Sequence, residues 1–500
     1  MDTQSSEMNT FVITDTYLRL LRCPISLTFC YDPVFAEDGY TYERRCIEAH
    51  FETKQTSPMT NEPIGKSLTS NLILKQIIQI VLENNSNLQT EFDDSKKEYS
   101  FRFGKELFDK CSDGNINAAQ LLLEKGAEIN WVDKKGGFTP LFVACQNGHV
   151  DVVQLLLNKG ADVDLARKEG FTPLMIACIH GNINVARLLL DKGAAIDKAD
   201  EIGATPLLVA CQEGHVDTAR LLLDKGAAVD KADENEIGVT PLYIACQEGH
   251  VDAARLLLDK GADINVTIKG DFTPLFVACQ NGHVDVVRLL LNKGAAVDKA
   301  DEIGVTPLNI ACQNGHVNVA RLLLDKSAEI DQAKKGGFTP LFVACQNGFE
   351  DVVRLLLNKG ANVNQADEIG VTPLMIACVH VNINVATLLL EKSAEVDLAD
   401  KRGFTPLHIA CQNNNSNDMV QLLIDNNANT KSLTKEGQSP IDIAWEMKHF
   451  NIIDKLCVKK KSVIHGPAAD LVDNRIKTYS SSNESNRRHR GWISSRARRR

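Results

Sequence analysis

The chain has no apolar run near the ~18 residues that a membrane-spanning helix needs. Its start, Met1-Asp2-Thr3-Gln4-Ser5-Ser6-Glu7, is polar and acidic and lacks the basic and apolar regions of a secretory signal. No membrane span is therefore expected. Positive charge is scarce outside one end. The net charge is −10 over 500 residues, yet residues 474–500 hold nine Arg/Lys and one Glu, which leaves the rest at −18. So acidic a body argues against a nucleic-acid-binding core. No catalytic triad, phosphate-binding loop or carboxylate pair appears in the central repeats described next. Fourteen cysteines are present, but ten of them, from Cys111 to Cys411, recur every 33 to 35 residues. One small apolar site repeated along a chain is not a disulfide framework. This points to a reducing compartment, with the protein expected to be cytoplasmic or nuclear.

What the sequence does contain is a period. Nine Thr-Pro anchors run from Thr139 to Thr405, each followed by Leu, 33 residues apart except for one step of 35. The two extra residues lie in Ala232-Asp233-Glu234-Asn235-Glu236-Ile237, a turn where insertion is cheap. A degenerate unit with Cys111 precedes the anchors and another, Ser439-Pro440-Ile441, follows them, making about eleven units over 103–460. Each reads turn, helix, turn, helix. Pro140 suits a first helical turn, and Leu141, Val143, Ala144 and Cys145 make a narrow apolar face. Asn147-Gly148 breaks the chain. Val150, Val153, Leu155, Leu156 and Leu157 form a second amphipathic helix that ends at Lys159-Gly160. In-register His149, His215, His250, His283 and His316 form a parallel ladder that cannot converge on one ion.

With its Thr-Pro-Leu, Gly-His and Leu-Leu-x-x-Gly-Ala signatures, the array resembles the ankyrin repeat. One departure is that the family's His after Thr-Pro-Leu survives only as His408; other units carry Phe142, Met175, Leu208, Tyr243, Phe276, Asn309, Phe342 and Met375. The favoured reading of these is an alternative packing solution at a half-buried position; the other is extra apolar surface for a partner. The resemblance implies a concave face lined by hairpin tips and by the residue before Thr-Pro. Here that row comprises Phe138, Phe171, Ile202, Phe272, Ile303, Phe338, Ile369 and Phe404, with basic tips beside most Phe and acidic tips beside Ile. Exposed apolar residues between alternating charges look like a stripe that binds a protein substrate. Segments 138–190 and 338–390 match closely, so duplication spread part of this pattern.

The N-terminal segment has the outline of a cross-braced zinc finger without its ligands. Such a module needs eight Cys/His ligands in pairs. Cys23 here pairs with Ser26, and the last pair is Ser57 and Thr60. Hydroxyls cannot replace thiolates around zinc but can hydrogen-bond in their place. Cys23, Cys30, Cys46 and His50 fit no common finger spacing, so no metal and no other cofactor is expected. Six ordered blocks follow one another: Cys23-Pro24-Ile25 with Ser26, Asp32-Pro33-Val34, Gly39-Tyr40-Thr41-Tyr42-Glu43-Arg44, the helix Arg45 to Phe51, the loop Ser57-Pro58-Met59-Thr60, and Asn71-Leu72-Ile73-Leu74-Lys75 leading to Ile78. Over 17–80 this resembles the U-box, the metal-free relative of the RING. The resemblance implies that a ubiquitin-charged conjugating enzyme docks on Ile25, Leu27, His50, Phe51, Pro58 and Asn61, and that Ser26, Tyr42, Ser57 and Thr60 form a structural brace. Ile47, Leu74, Ile77 and Val34 suit the module's own core. Many relatives carry a basic residue where this chain has Asn61, and a Pro where it has Ser70.

The expected fold is mostly α: a small N-terminal α+β U-box, a polar and partly helical linker at 81–102, an ankyrin α-solenoid with β-hairpin turns, and a basic disordered tail at 461–500. The two resemblances in one chain imply an E3 ubiquitin ligase that forms no covalent ubiquitin–enzyme intermediate and selects substrates with its repeats. The alternative is a non-catalytic scaffold whose U-box is degenerate or forms a homodimer.

Overall fold

The computed structural model describes residues 21–24, 30, 33–38, 40–83, 86–233, 237–413 and 416–457. It divides into two compact units, 1–201 and 202–500. Each is described by itself.

The first unit begins with strands β1 (Pro33–Phe35) and β2 (Thr41–Glu43), helix α1 (Arg44–Thr53), strand β3 (Thr69–Ser70) and helix α2 (Leu72–Glu83). The sheet is antiparallel in the order β2-β1-β3, with Val34 opposite both Tyr42 and Ser70. Cys23, Val34, Tyr42, Ile47, Phe51, Ile78 and Leu82 fill the core beneath it. Asn71 starts α2: its side chain accepts the Leu74 N–H at 3.0 Å and donates to Thr41 Oγ1 at 3.0 Å. The expected core assignment shifts by one residue here. Ile77 is 44% exposed and Ile78 takes the inward position, while Leu74 is only partly buried.

Helix α3 (Ser86–Ser112) covers the segment read as a linker and continues into the first repeat. Its 27 residues span about 40 Å at the α-helical rise. Leu88 packs against the N-terminal core, and Leu107 and Cys111 are buried further along the same helix. Across this junction Lys125 Nζ lies 3.1 Å from the Glu48 carboxylate on α1. The residues of 461–500 lie outside the described ones.

Beyond α3 both units are built of paired short helices, such as Pro140–Gln146 with Val150–Asn158 and Pro340–Asn347 with Glu350–Asn358. Local chemistry sets each start. The Thr139 hydroxyl accepts the Phe142 N–H at 3.0 Å, and Thr339 does the same for Phe342 at 3.1 Å, with Pro in the first turn. Adjacent repeats are then tied together. His149 Nε2 donates to the Ser112 carbonyl at 3.0 Å, and His283 and His316 reach Gln247 and Gln280 at 2.8 and 3.1 Å. These rings satisfy helix-end carbonyls of the preceding repeat. On exposed helix ends, Lys260, Lys293 and Lys359 meet Asp224, Asp259 and Asp325 of the repeat before at 2.7, 2.8 and 2.8 Å.

The residues after Thr-Pro-Leu are fully buried rather than half-buried: Phe142 is 1% exposed, and Met175 and Phe342 are 0%. The repeated cysteines are buried as well, and burial pushes the Cys111 and Cys211 thiols up to about 12.

Among the cysteines whose side chains are described, Cys46 alone is partly accessible. Alkylation of the native protein at mildly basic pH should therefore label Cys46 before any repeat cysteine, with the repeat thiols reacting only on unfolding; peptide mass spectrometry reads the order. Val381 has φ 56°, where its counterpart 200 residues earlier, Gly181, has φ 64°. A β-branched residue is strained in that left-handed conformation. Val381→Gly should stabilise the array by about 1 kcal/mol, seen as a higher denaturation midpoint with unchanged slope.

Candidate functional site

Asp38 is the centre of the N-terminal module's loop geometry. It sits in the turn between β1 and β2. Its Oδ2 accepts from Tyr42 Oη at 2.7 Å and from Ser57 Oγ at 2.6 Å, while Oδ1 accepts the Tyr40 N–H at 3.0 Å. Burial by itself would raise the Asp38 pKa. The hydrogen bonds from Ser57, Tyr42 and the Tyr40 N–H outweigh it and hold the carboxyl below its usual value. Burial, then the bond to Asp38, pushes the Tyr42 phenol up.

Ser57 passes this order to the next loop. Its Oγ accepts the Met59 and Thr60 N–H groups at 3.1 and 2.9 Å, and its carbonyl accepts the Asn61 N–H at 2.9 Å. The Ser57 N–H donates to the Glu62 carbonyl at 2.7 Å, closing the loop. At its corner Asn61 has φ 62°, a left-handed conformation that Asn tolerates better than most residues. His50, on α1, donates from Nε2 to the Thr56 carbonyl at 2.8 Å and anchors the loop's entry.

The sequence-derived residues divide on this geometry. Tyr42 and Ser57 meet at Asp38, which no sequence motif singled out. The Thr60 hydroxyl does not join them: it is exposed and accepts only the Glu62 N–H, at 3.4 Å. Phe51 was expected on an exposed helix face but is 6% exposed and belongs to the core. Pro58 is half-buried, Asn61 is exposed, and beside them Met59 is 48% exposed, an apolar side chain of the same loop that was not among the expected docking residues. Ile25, Ser26 and Leu27 lie outside the described residues. Among the described residues, no cluster of His, Cys, Asp or Glu could hold a metal ion.

The repeat tips show a second arrangement. In several units an Asp five residues before the Thr ties the hairpin from inside: Asp301 Oδ1 accepts the Ile303 and Val305 N–H groups at 3.0 and 2.8 Å, and Asp367 and Asp400 repeat the pattern. Arg167, Ile268 and Lys334 occupy that position in three other units, which keep the backbone bonds to the Phe171, Phe272 and Phe338 carbonyls, also present in the Asp units, but lack the carboxylate. The Arg167 guanidinium then lies 4.6 Å from the Phe171 ring centre and 5.4 Å from that of Phe138. Burial pulls the Lys334 pKa down, opposed by the nearby Asp301 carboxylate.

The expected row of exposed apolar tips is accordingly uneven. Ile303 is 44% exposed. Phe138, Ile202, Phe272, Phe338 and Ile369 are half-buried, and Phe171 and Phe404 are buried at 6% and 8% exposure. The reason is the ring four positions on. Phe138, Phe272 and Phe338 pack on Phe142, Phe276 and Phe342 with centres 5.3, 5.0 and 5.1 Å apart, and Phe404 packs on His408 at 5.8 Å.

A family model of ankyrin repeats in three copies matches residues 107–200, 194–268, 269–334 and 328–400, and a second ankyrin model matches 388–444. The chain belongs to the ankyrin-repeat family. A U-box model matches residues 19–87, so the N-terminal module is a U-box domain. Curated relatives match over the U-box. A probable bifunctional E2/E3 enzyme of Acanthamoeba polyphaga mimivirus is 49% identical over 67 residues, 13% of this chain and 5% of that protein. The WD repeat, SAM and U-box domain-containing protein 1 of Danio rerio is 53% identical over 58 residues, 11% and 12% of the two chains. The E3 ubiquitin-protein ligase SPL11 of Oryza sativa subsp. japonica is 42% identical over 66 residues, 13% and 10%. The chain thus spans only a small fraction of these relatives' lengths.

In the U-box, the hydroxyl that stands in a zinc-ligand position, Ser57, is held by a carboxylate. Asp38→Ala should leave the Tyr42 and Ser57 hydroxyls without their shared acceptor and destabilise the domain by about 1–3 kcal/mol. Because the folded Asp38 pKa is depressed, its contribution is complete above the ordinary carboxylate value and is lost as pH falls through the depressed one. Unfolding of wild type and Asp38→Ala across an acid series should therefore converge at low pH; a constant difference would contradict this role.

Proposed function

We propose that the protein is an E3 ubiquitin ligase whose ankyrin repeats choose the substrate and whose U-box presents a ubiquitin-charged conjugating enzyme. The observation that carries this reading is the pairing in one chain of a U-box domain and a long ankyrin array. Support comes from the ordered loop at Pro58, Met59 and Asn61, whose shape depends on Ser57 and Asp38 rather than on metal. A small apolar patch at Pro58 and Met59 gives weak, quickly reversible docking, as a shuttling enzyme requires, and Ile25 and Leu27, which lie outside the described residues, are the further docking residues that the U-box resemblance implies.

Catalysis is by proximity. A substrate held on the repeat face directs a neutral lysine amine at the thioester carbonyl of the docked enzyme. The new C–N bond forms, the C–S bond breaks, the conjugating enzyme's thiolate leaves, and the proton that the amine loses passes to that thiolate or to water. No residue of this chain carries ubiquitin. The buried thiols Cys23 and Cys30 are unsuited to attack; the hydrogen bond between them, then burial, pushes the Cys30 pKa far up. On the repeat face, exposed Ile303 and the half-buried Phe edges are the contact residues. Abundant free thiols favour a reducing compartment, the cytosol or nucleus, as its site of action.

A second reading is a non-catalytic ankyrin scaffold, and the observation behind it is Asn61. It brings no positive charge to the loop that would close ubiquitin against its carrier. One reconstitution separates the two. With activating enzyme, ubiquitin and a panel of conjugating enzymes, the full chain should form ubiquitin conjugates, and Pro58→Ala and Ile25→Ala should each reduce them about tenfold or more. No conjugates with any conjugating enzyme would favour the scaffold.

A further inference from the structure

The hairpin tips of the second unit carry a period longer than the repeat. One residue per tip, at a spacing of 33, reads Lys269, Glu302, Lys335, Glu368 and Lys401, so the charge changes sign at every step. The residue before each Thr-Pro alternates with it: Phe272, Val305, Phe338, Val371 and Phe404. Two repeats, not one, are the period of this surface. Backbone bonds hold the tips in a row: the Lys335, Glu368 and Lys401 N–H groups donate to the Ile303, Gly336 and Ile369 carbonyls of the tip before, each at 3.0 Å. All five charged side chains are exposed. Among the described residues, Glu302, Lys335, Glu368 and Lys401 form no ion pair. The other charged groups of these four tips are engaged within the fold. Asp301, Asp367 and Asp400 accept hairpin N–H groups, Lys334 Nζ donates to Gln313 Oε1 at 3.2 Å, and the Arg402 guanidinium lies 4.8 Å from the Phe404 ring centre. Attraction between neighbouring tips is a weak reason for the alternation, because exposed charges about 10 Å apart are largely screened.

The spacing selects the shape of a partner. Packed helices set adjacent repeats about 10 Å apart, so five tips span about 40 Å. A polyproline-II segment turns once in three residues and about 9.3 Å, which points every third side chain the same way at the pitch of the tips. A β-strand does not, since residues three apart point to opposite faces. An α-helix would need about 27 residues to pass five tips, and a solenoid curves away from a straight rod. Pro-rich segments also dock on aromatic rings, and the Lys hairpins offer the half-buried rings of Phe272 and Phe338.

We propose that the second unit binds a polyproline-II segment charged at every third residue with alternating sign: acidic opposite Lys269, Lys335 and Lys401, basic opposite Glu302 and Glu368. This names a substrate class for the repeats and rests on their reading as the part that selects the substrate. Each exposed charge pair adds little affinity, so the alternation sets register and rejects wrong partners. The test needs neither ubiquitin nor a conjugating enzyme, so its failure is distinct from a failure of ligase activity. Fluorescence anisotropy follows the full chain with a labelled peptide, Glu-Pro-Pro-Lys-Pro-Pro-Glu-Pro-Pro-Lys-Pro-Pro-Glu. Replacing both peptide Lys by Glu should weaken binding about tenfold or more. Lys335→Glu with Glu368→Lys keeps the net charge of the protein and should weaken binding of the first peptide similarly. Exchanging the central Glu of the peptide with one or the other Lys should then restore binding, and the exchange that works gives the chain direction. Circular dichroism checks that the exchanged protein is folded, and the peptide series on the unaltered chain decides by itself if it is not. Absence of binding, or equal binding of the alternating and all-acidic peptides, would overturn the proposal. So would tighter binding of a helical peptide with opposite charges seven residues apart. An exchanged protein that melts at lower temperature yet binds the first peptide unchanged would also overturn it, since the alternation would then serve only the stacking of tips.

Discussion

Stacking of one short helix pair on the next is the interaction on which the array depends. A helix of seven to nine residues is too short to persist in water by itself. It persists here because Leu141, Phe142, Ala144 and Cys145, or Leu341, Phe342, Ala344 and Cys345, are removed from water by neighbouring helices. The small Ala and Cys allow close approach, and the large residue after Leu fills the remaining volume. Everything else in a repeat serves to present that face correctly. The Thr cap fixes where the first helix starts, and the His or Asn at the second turn satisfies carbonyls on the preceding repeat.

The U-box solves a different problem with a similar economy. It is too small to rely on a large core, and its relatives in the RING class use two metal ions as staples. Here one carboxylate gathers two hydroxyls and, through Ser57, the backbone of the neighbouring loop. A charged acceptor makes these bonds stronger than those between neutral partners. Loop and sheet are therefore a single hydrogen-bonded object, which keeps Pro58 and Met59 presented at the surface. Helix α3 extends this order, since one continuous helix contributes Leu88 to the U-box core and Leu107 to the first repeat.

Much of this was legible from residues alone. The 33-residue period named the architecture, and Pro140 and Gly148 marked helix boundaries that the structure places at or beside them. Errors arose wherever a side chain's direction mattered more than its type. Ile77 and Ile78 are identical in chemistry, and only the rotation of α2 decides which is buried. Phe51 reads equally well as a docking residue or a core residue until α1 is set against the sheet. Asp38 is an ordinary turn residue in sequence; its role appears when a residue 19 positions away comes within 2.6 Å. The tips failed in the same way, because Phe404 and Phe171 meet rings and cations that shield them.

The sequence by itself determined the repeat, the helix caps, the free thiols and the absence of zinc ligands. Each of these follows from residue type and spacing, which are local properties of a chain. Tertiary structure alone decided which apolar residues face water and which polar groups meet. Exposure and hydrogen bonding depend on what else arrives at the same place, and a linear pattern holds no record of that.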